Sequence, residues 1–161
     1  MTTLSPGLRI LFIGAGNMHP DAPSNHALVR RVVNAVHPSL AIHGAGWGCD
    51  SIVATVCHEL DVRQLAMPAP KGKGSTAMRG AWMESMFVRE AGRPACDGPG
   101  AWSEAPSPDA LVAFPGKSGT ESMIAMAHHF GVPVWRVDVD ASRLVLEVAP
   151  VAPAVDEEEL F

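Results

Sequence analysis

The chain has 161 residues, of which 47% are hydrophobic and 18% charged, enough apolar material for the core of one domain. Its net charge is −5, but residues 156–159 form an acidic run, and the remaining residues carry 12 basic and 13 acidic side chains. This near-neutral balance argues against broad binding to nucleic acid or to an anionic membrane, because such binding needs a surplus of cations.

Only three cysteines occur, at Cys49, Cys57 and Cys96, and no two are spaced as CxxC. The set therefore indicates neither a disulfide framework nor a zinc ribbon, and it favours a reducing, cytoplasmic location. The adjacent pairs His128-His129 and Cys57-His58 point in different directions on a helix and cannot chelate as an i, i+4 pair does. We expect no metal and no other cofactor.

Short apolar runs that end in glycine or proline alternate with amphipathic segments along the chain. In chain order, the pattern predicts a strand at 8–13, a helix at 25–36, a strand at 39–43, a helix at 50–60, a strand at 62–67, a helix at 75–90, an excursion loop at 92–108, a strand at 109–114, a helix at 120–130, a strand at 133–137 and an edge strand at 143–148.

Most of the predicted strands are continuously apolar rather than alternating, which is typical of strands covered on both faces. The sequence therefore predicts an α/β, Rossmann-like three-layer fold, with a mainly parallel sheet and helices on both faces. Residues 1–149 are predicted to form this single domain. Residues 150–161, which contain two prolines and the acidic run, are predicted to be a flexible acidic tail.

Four loops that are distant in sequence each follow a predicted strand, at residues 14–17, 44–48, 68–74 and 115–120. In a parallel sheet the carboxyl ends of the strands share one edge, and ligands bind outside that edge where the strand order reverses. Glycine-rich loops leading toward helix N-termini expose backbone N–H groups that suit an anion such as phosphate.

The local charge supports an anionic ligand at this edge. Between Asp61 and Glu84 the chain carries Arg63, Lys71, Lys73 and Arg79, with no acidic residue among them. An arginine can hold phosphate through two parallel hydrogen bonds. The alternative interpretation is that Lys71 and Lys73 lie in a solvated loop and bind no ligand.

Two common nucleotide-binding motifs do not fit. A P-loop requires glycine five positions before Gly116, where this chain has Leu111. The segment from Gly14 to His19 lacks the third glycine of the dinucleotide fingerprint.

Three segments instead carry a resemblance to a known family: His43-Gly-Ala-Gly-Trp-Gly-Cys-Asp50, Arg79-Gly-Ala-Trp-Met83, and Leu111-Val-Ala-Phe-Pro-Gly-Lys-Ser-Gly-Thr120 continuing to Gly131-Val-Pro-Val134. Over residues 8–137 the chain resembles the YspA/YpsA-related branch of the SLOG superfamily, whose relatives include the Lonely Guy phosphoribohydrolases and the DNA-processing protein DprA. The resemblance implies a Rossmann-like fold, a homodimer or higher homo-oligomer, and a site for a nucleoside monophosphate or an ADP-ribose-like ligand.

The resemblance and the loop positions together predict a site that binds a phosphorylated small molecule. Its predicted ligand-binding residues are Gly14, Gly16, Asn17, Gly44, Gly46, Trp47, Gly48, Asp50, Arg79, Pro115, Gly116, Lys117, Ser118, Gly119 and Thr120. Trp47 is expected to stack on a base or to cover the sheet edge. Asp50 is expected to hydrogen-bond a ribose hydroxyl or to cap its own helix.

An alternative function is Lonely Guy-like hydrolysis of the N-glycosidic bond of a nucleotide. In those enzymes an arginine and a glutamate support the reaction; Arg79 matches the arginine, but the glutamate position is Met123. Candidate replacements are Asp50, a residue from Gly14 to Asp21, and Glu121, although Glu121 lies two residues earlier on the helix than Met123, a rotation of about 200°. The other expected role of Glu121 is a favourable interaction of its carboxylate with the positive, N-terminal end of its helix. A third alternative, DprA-like binding of nucleic acid, is disfavoured by the acidic total charge.

Overall fold

The computed structural model describes residues 4–67 and 107–148. Six strands form one sheet in the order β3-β2-β1-β4-β5-β6, and all neighbouring strands are parallel except β5 and β6, which are antiparallel. The strands are β1 (Arg9–Ile13), β2 (Leu40–His43), β3 (Gln64–Ala66), β4 (Ala110–Ala113), β5 (Val134–Asp138) and β6 (Arg143–Glu147).

Three helices are described: α1 (Pro23–Val36), α2 (Cys49–Glu59) and α3 (Ser118–His129). Proline suits the first turn of α1, because its missing N–H would have no partner within the helix there. The helix ends at His37, whose left-handed backbone lets its N–H bond the Val33 carbonyl. No helix in the described part of the chain is both long enough and apolar enough to cross a membrane.

The two faces of the sheet are covered by different helices. Alternate strand residues, including Ile10, Phe12 and Val112, pack with α1 and α2 in one apolar cluster. The intervening residues, including Leu11 and Leu111, pack against α3 in a second cluster. Full burial of both faces explains why the central strands are continuously apolar.

This arrangement confirms the predicted α/β fold with a mainly parallel sheet and helices on both faces. The described strands and helices lie where the sequence predicts them, with ends that differ by a few residues. The predicted helix at 75–90, most of the predicted loop at 92–108 and the tail at 150–161 lie outside the described residues. The division into one domain and a tail stays a prediction.

The strand order reverses between β1 and β4, which are adjacent in the sheet although about a hundred residues separate them. At their amino ends, Arg9 and Asp109 form a two-pronged ion pair, with guanidinium-to-carboxylate distances of 2.9 and 3.2 Å. The backbone N–H of Arg9 also donates to Asp109 at 2.8 Å. At their carboxyl ends, β1 and β4 lead into two of the predicted ligand loops.

Candidate functional site

The peptide groups of Ala15 join three of the predicted loops. The N–H of Ala15 donates to the Pro115 carbonyl at 3.1 Å, and its carbonyl accepts from the N–H of Cys49 at 3.2 Å. Ala15 is buried between these partners. The loops that follow β1, β2 and β4 therefore meet at one edge of the sheet, as the parallel topology predicts.

Two glycines allow this close approach. A Cβ atom on Gly14 would lie 2.6 Å from the Sγ of Cys49 and 3.0 Å from the Cβ of Phe114. Gly48 has φ +83°, and a Cβ there would lie 2.5 Å from the carbonyl oxygen of Gly16. A side chain at either position would push the β1 loop away from the start of α2.

Helices α2 and α3 both begin at this edge, immediately after Gly48 and Lys117. Neither of these N-cap residues supplies a side-chain hydrogen bond to its helix. The first N–H of α2 is bound by the Ala15 carbonyl. The positive end of a helix attracts anions, so α3, with the exposed residues Ser118 and Gly119 in its first turn, is the better placed of the two to hold one.

The loop from Pro115 to Thr120 is tightly folded. Pro115, Gly116, Lys117, Ser118 and Gly119 are exposed, whereas Thr120 is buried. A Cβ on Gly116 would lie 2.0 Å from the Oγ1 of Thr120, so the threonine side chain packs directly against the glycine. By contrast, a Cβ on Gly119 would meet nothing within 4 Å. The space beside Gly119 is therefore open at the start of α3.

Trp47 projects from the β2 loop and is 67% exposed. Its ring meets the imidazole of His19 edge to face, with the ring centroids 6.3 Å apart. His19 lies in the segment that follows the β1 loop, and its Nδ1 accepts the N–H of Asp21. Because so much of the indole is exposed, Trp47 offers a flat apolar surface at the sheet edge rather than a buried cover for it.

Asp50 turns back onto the loop that precedes its helix. One carboxylate oxygen accepts the N–H of Gly46 at 3.1 Å, which holds the loop at 44–48 in a closed turn. Asp50 is the second residue of α2, whose N-cap position is occupied by Gly48. Gly44 is buried within the same loop, while Gly16 and Asn17 are exposed on the facing loop.

His43, at the end of β2, has a structural role. Its side chain is buried, its Nδ1 accepts the N–H of Ala45, and its Nε2 lies 2.9 Å from the Oε1 of Gln64. With Nδ1 accepting, the matching tautomer donates from Nε2 to the Oε1 of Gln64. Gln64 in turn donates to the Ala54 carbonyl. The ring thus fastens the β2 loop to β3 and α2.

Glu121 forms an ion pair with Arg136 on β5. Both of its carboxylate oxygens accept from the guanidinium of Arg136 on β5, at 2.8 and 2.9 Å. Arg136 also donates to Glu147 of β6, and Glu147 contacts His128 of α3. The hydrogen bonds from Arg136 lower the pKa of Glu121, although slight burial opposes them. A carboxylate so paired stays ionised, so it has no proton to donate and is a weakened base, and Met123 is buried in the α3 core.

The Cys49 thiol lies at this edge but is not a nucleophile. It is buried against Gly14, and burial, followed by the negative charge of Asp50, raises its pKa far above the ordinary range of a thiol. A thiol reacts as the thiolate. No cluster of three metal-binding side chains occurs within residues 4–67 and 107–148.

The structure brings the predicted residues of the β1, β2 and β4 loops to one edge. Arg79 and the loop at 68–74 lie outside the described residues, so their position relative to that edge stays a prediction. Sequence reasoning overlooked Ala15, because it joins the loops through backbone atoms that leave no signature in residue type. The Trp47–His19 contact was also unforeseen, although both residues flank predicted loops.

These features define an α/β protein with glycine-lined loops at the point where its strand order reverses. No protein-family model matches the chain, and no curated protein matches it.

Proposed function

We propose that the protein binds a phosphorylated nucleoside, either a nucleoside monophosphate or an ADP-ribose-like molecule, at the carboxyl edge of the sheet. The observation that carries the proposal is the junction at Ala15, which gathers the loops after β1, β2 and β4 around the reversal of strand order. Crevices at such reversals are the usual ligand sites of open α/β sheets. The resemblance to the SLOG superfamily points to the same class of ligand.

In this proposal the phosphate lies at the start of α3. Backbone N–H groups of residues 118–120 and the side chain of Lys117 bind it, and the open space beside Gly119 admits it. The base stacks on the exposed indole of Trp47. Arg79 is a further phosphate ligand implied by the family resemblance.

Titration calorimetry with AMP, ADP-ribose, NAD⁺ and inorganic phosphate tests this proposal on the full-length chain. We expect saturable binding of AMP or ADP-ribose and weaker binding of inorganic phosphate, which lacks the base. Failure of all four compounds to bind at millimolar concentration would overturn the proposal.

A pair of substitutions at Gly119 localises the phosphate. Gly119→Asp places a negative charge where the phosphate is expected, and we expect it to weaken binding at least about tenfold through like-charge repulsion. Gly119→Asn has nearly the same shape without the charge and is the matched control. Equal affinities of the two variants would show that the anion does not lie at the start of α3.

Substitutions at Trp47 test whether the base of the ligand stacks on the indole. Trp47→Ala is expected to weaken AMP binding about tenfold, since stacking of a base on an aromatic ring contributes about 1–3 kcal/mol. Trp47→Phe keeps an aromatic face and should recover part of the loss. Inorganic phosphate should bind both variants as it binds the parent chain.

Hydrolysis of the glycosidic bond receives no support from Glu121, whose carboxylate is paired with Arg136. We therefore propose binding without turnover. Incubation with AMP followed by chromatography for free adenine checks this directly, and release of adenine that Arg79→Ala abolishes would favour the hydrolase instead. We also propose a cytoplasmic location and a homodimer, the latter to be checked by analytical ultracentrifugation.

A further inference from the structure

A concave surface apart from the candidate ligand loops lies between α1 and the β5–β6 hairpin. The two strands are joined by a short turn at residues 139–142, so no helix intervenes between them to cover the face of the sheet next to α1. The result is a groove of about 550 Å³, a volume within the range of small-molecule sites. It shares no residue with the loops at 14–17, 44–48 and 115–120.

The walls of the groove are mostly apolar. Trp135 of β5 and its cross-strand partner Leu146 of β6 line the sheet side. Leu28 and Val32, one helical turn apart, line the α1 side. Leu146 is 39% exposed, so the sheet side of the groove is open to water.

Trp135 carries an unsatisfied polar group. The residue is only 4% exposed, and its indole N–H has no hydrogen-bond partner among the described residues. A buried donor without an acceptor destabilises a protein, because the donor has lost its hydrogen bonds to water without gaining another. An oxygen atom of a molecule that packs against the indole would remove this cost.

The charge of the groove is opposite to that of the protein. Two arginines, Arg31 and Arg143, are among its lining residues, and no carboxylate is, although the whole chain carries −5. Arg143 is partly neutralised by Asp138 at 3.4 Å. Arg31 reaches across to the hairpin, where it donates to the hydroxyl of Ser142 at 3.2 Å, and within the described residues it has no acidic partner.

We propose that this groove binds an amphipathic carboxylate, a molecule with an apolar chain or ring and a single carboxylate group. The carboxylate pairs with Arg31 at the mouth, where an anion is a stronger acceptor than the serine hydroxyl. The apolar part covers the ring of Trp135 together with Leu28, Val32 and Leu146. In this proposal one oxygen of the same carboxylate accepts the indole N–H of Trp135.

Octanoate is a suitable probe, with n-octanol as the uncharged comparison. The readout is the indole N–H resonance of Trp135 in a two-dimensional ¹H–¹⁵N spectrum of the full chain, assigned by its loss in Trp135→Phe. We expect a saturable shift with octanoate and a much weaker response to octanol. No saturable shift at millimolar octanoate would overturn the proposal.

Matched variants locate the binding. Arg31→Gln is expected to weaken octanoate binding about tenfold, the lower end of the contribution of a charge-assisted hydrogen bond. Arg30→Gln makes the same change of net charge at a neighbouring arginine that pairs with Glu59, and should leave the affinity unchanged. Equal losses in the two variants would show a general effect of charge and contradict the site.

A second pair tests the apolar wall. Leu146→Asp should abolish the response, whereas Val139→Asp, at an exposed apolar residue outside the groove, should retain it. The other occupant to consider is a second copy of this chain. If dilution of the protein alone shifts the Trp135 resonance, and sedimentation shows a dimer that Leu146→Asp dissociates, the groove is an interface and the carboxylate proposal is wrong.

Discussion

Backbone geometry at single residues decides whether the candidate ligand loops can meet. Ala15 uses its N–H and its carbonyl to join the loops after β4 and β2, and neither bond depends on its side chain. Gly14 and Gly48 leave space that any other residue would fill. The three loops can therefore meet at the carboxyl edge of the sheet only because the residues at their junction have small side chains or none.

Substitution of Gly48 tests this dependence. Gly48→Ala is expected to reduce the free energy of unfolding by about 2 kcal/mol or more, because alanine is strained at φ +83° and its Cβ would collide with the Gly16 carbonyl. Urea unfolding followed by circular dichroism measures the change.

Gly7→Ala is the control for this experiment. Gly7 has a similar φ, +81°, but a Cβ there meets nothing within 4 Å. This variant isolates the backbone strain, and we expect a loss of only about 1 kcal/mol. Equal losses at the two positions would mean that the close approach of Gly48 to Gly16 is not a tight constraint.

Ion pairs tie secondary-structure elements together at the amino edge of the sheet and on the face that α3 covers. Arg9 and Asp109 join β1 to β4 at the amino edge. On the α3 side, Arg136 links Glu121 of α3 to Glu147 of β6. These pairs involve partly exposed side chains, so each contributes modestly to stability.

The Arg9–Asp109 pair leads to a prediction about the stability of the protein at acidic pH. Hydrogen bonds from the Arg9 side chain lower the pKa of Asp109 below its ordinary 3.8, while partial burial opposes them. The stabilising contribution is therefore present above the unfolded-state pKa and is lost as the pH falls through the folded-state pKa. Asp109→Asn should reduce stability by about 1 kcal/mol at pH 7, after allowance for solvent screening.

Urea unfolding at pH 7, 5, 4 and 3 checks this prediction. The difference between Asp109→Asn and the parent chain should stay constant down to pH 5 and shrink below about pH 4. Asp140→Asn, at an exposed residue for which the described residues show no ion pair, should change stability by less than about 0.5 kcal/mol throughout. A difference that grows toward acid would contradict the assignment.

At the scale of the whole molecule, the order of the strands determines which backbone amides are most protected from hydrogen exchange. β1 and β4 lie at the centre of the sheet, paired on both sides and buried on both faces. β3 and β6 are edge strands, and several of their residues are exposed. The backbone hydrogen bonds of central strands usually break only when the whole domain unfolds, whereas those of edge strands also break by local unfolding.

Native-state hydrogen exchange followed by NMR tests this order. We expect the slowest amides at Leu11 and Phe12 of β1 and at Leu111 and Val112 of β4. Amides of β6 should exchange faster. Finding β6 amides in the slowest class would contradict the strand order or would reveal a partner strand on that edge.

Prediction from the sequence succeeded for the class of fold and for the positions of the described strands and helices. The apolar run before Gly14 predicts β1, and the spacing of Leu28 and Val32 predicts the buried face of α1. It failed to foresee contacts between distant residues. The pairing of Glu121 with Arg136 could not be predicted, because the distance between two charged residues along the sequence does not show that a helix and a strand will bring them together.

The amino-acid sequence by itself determined the class of fold and the loops that end its strands, since both follow from hydrophobic periodicity and from the conformational freedom of glycine and proline. Only the tertiary structure decided which strands are neighbours, that Ala15 joins three loops, and that the β5–β6 hairpin leaves a groove beside α1. The physical reason is that periodicity reports on which face of an element is buried, whereas strand order and side-chain partners depend on the packing of segments far apart in the chain.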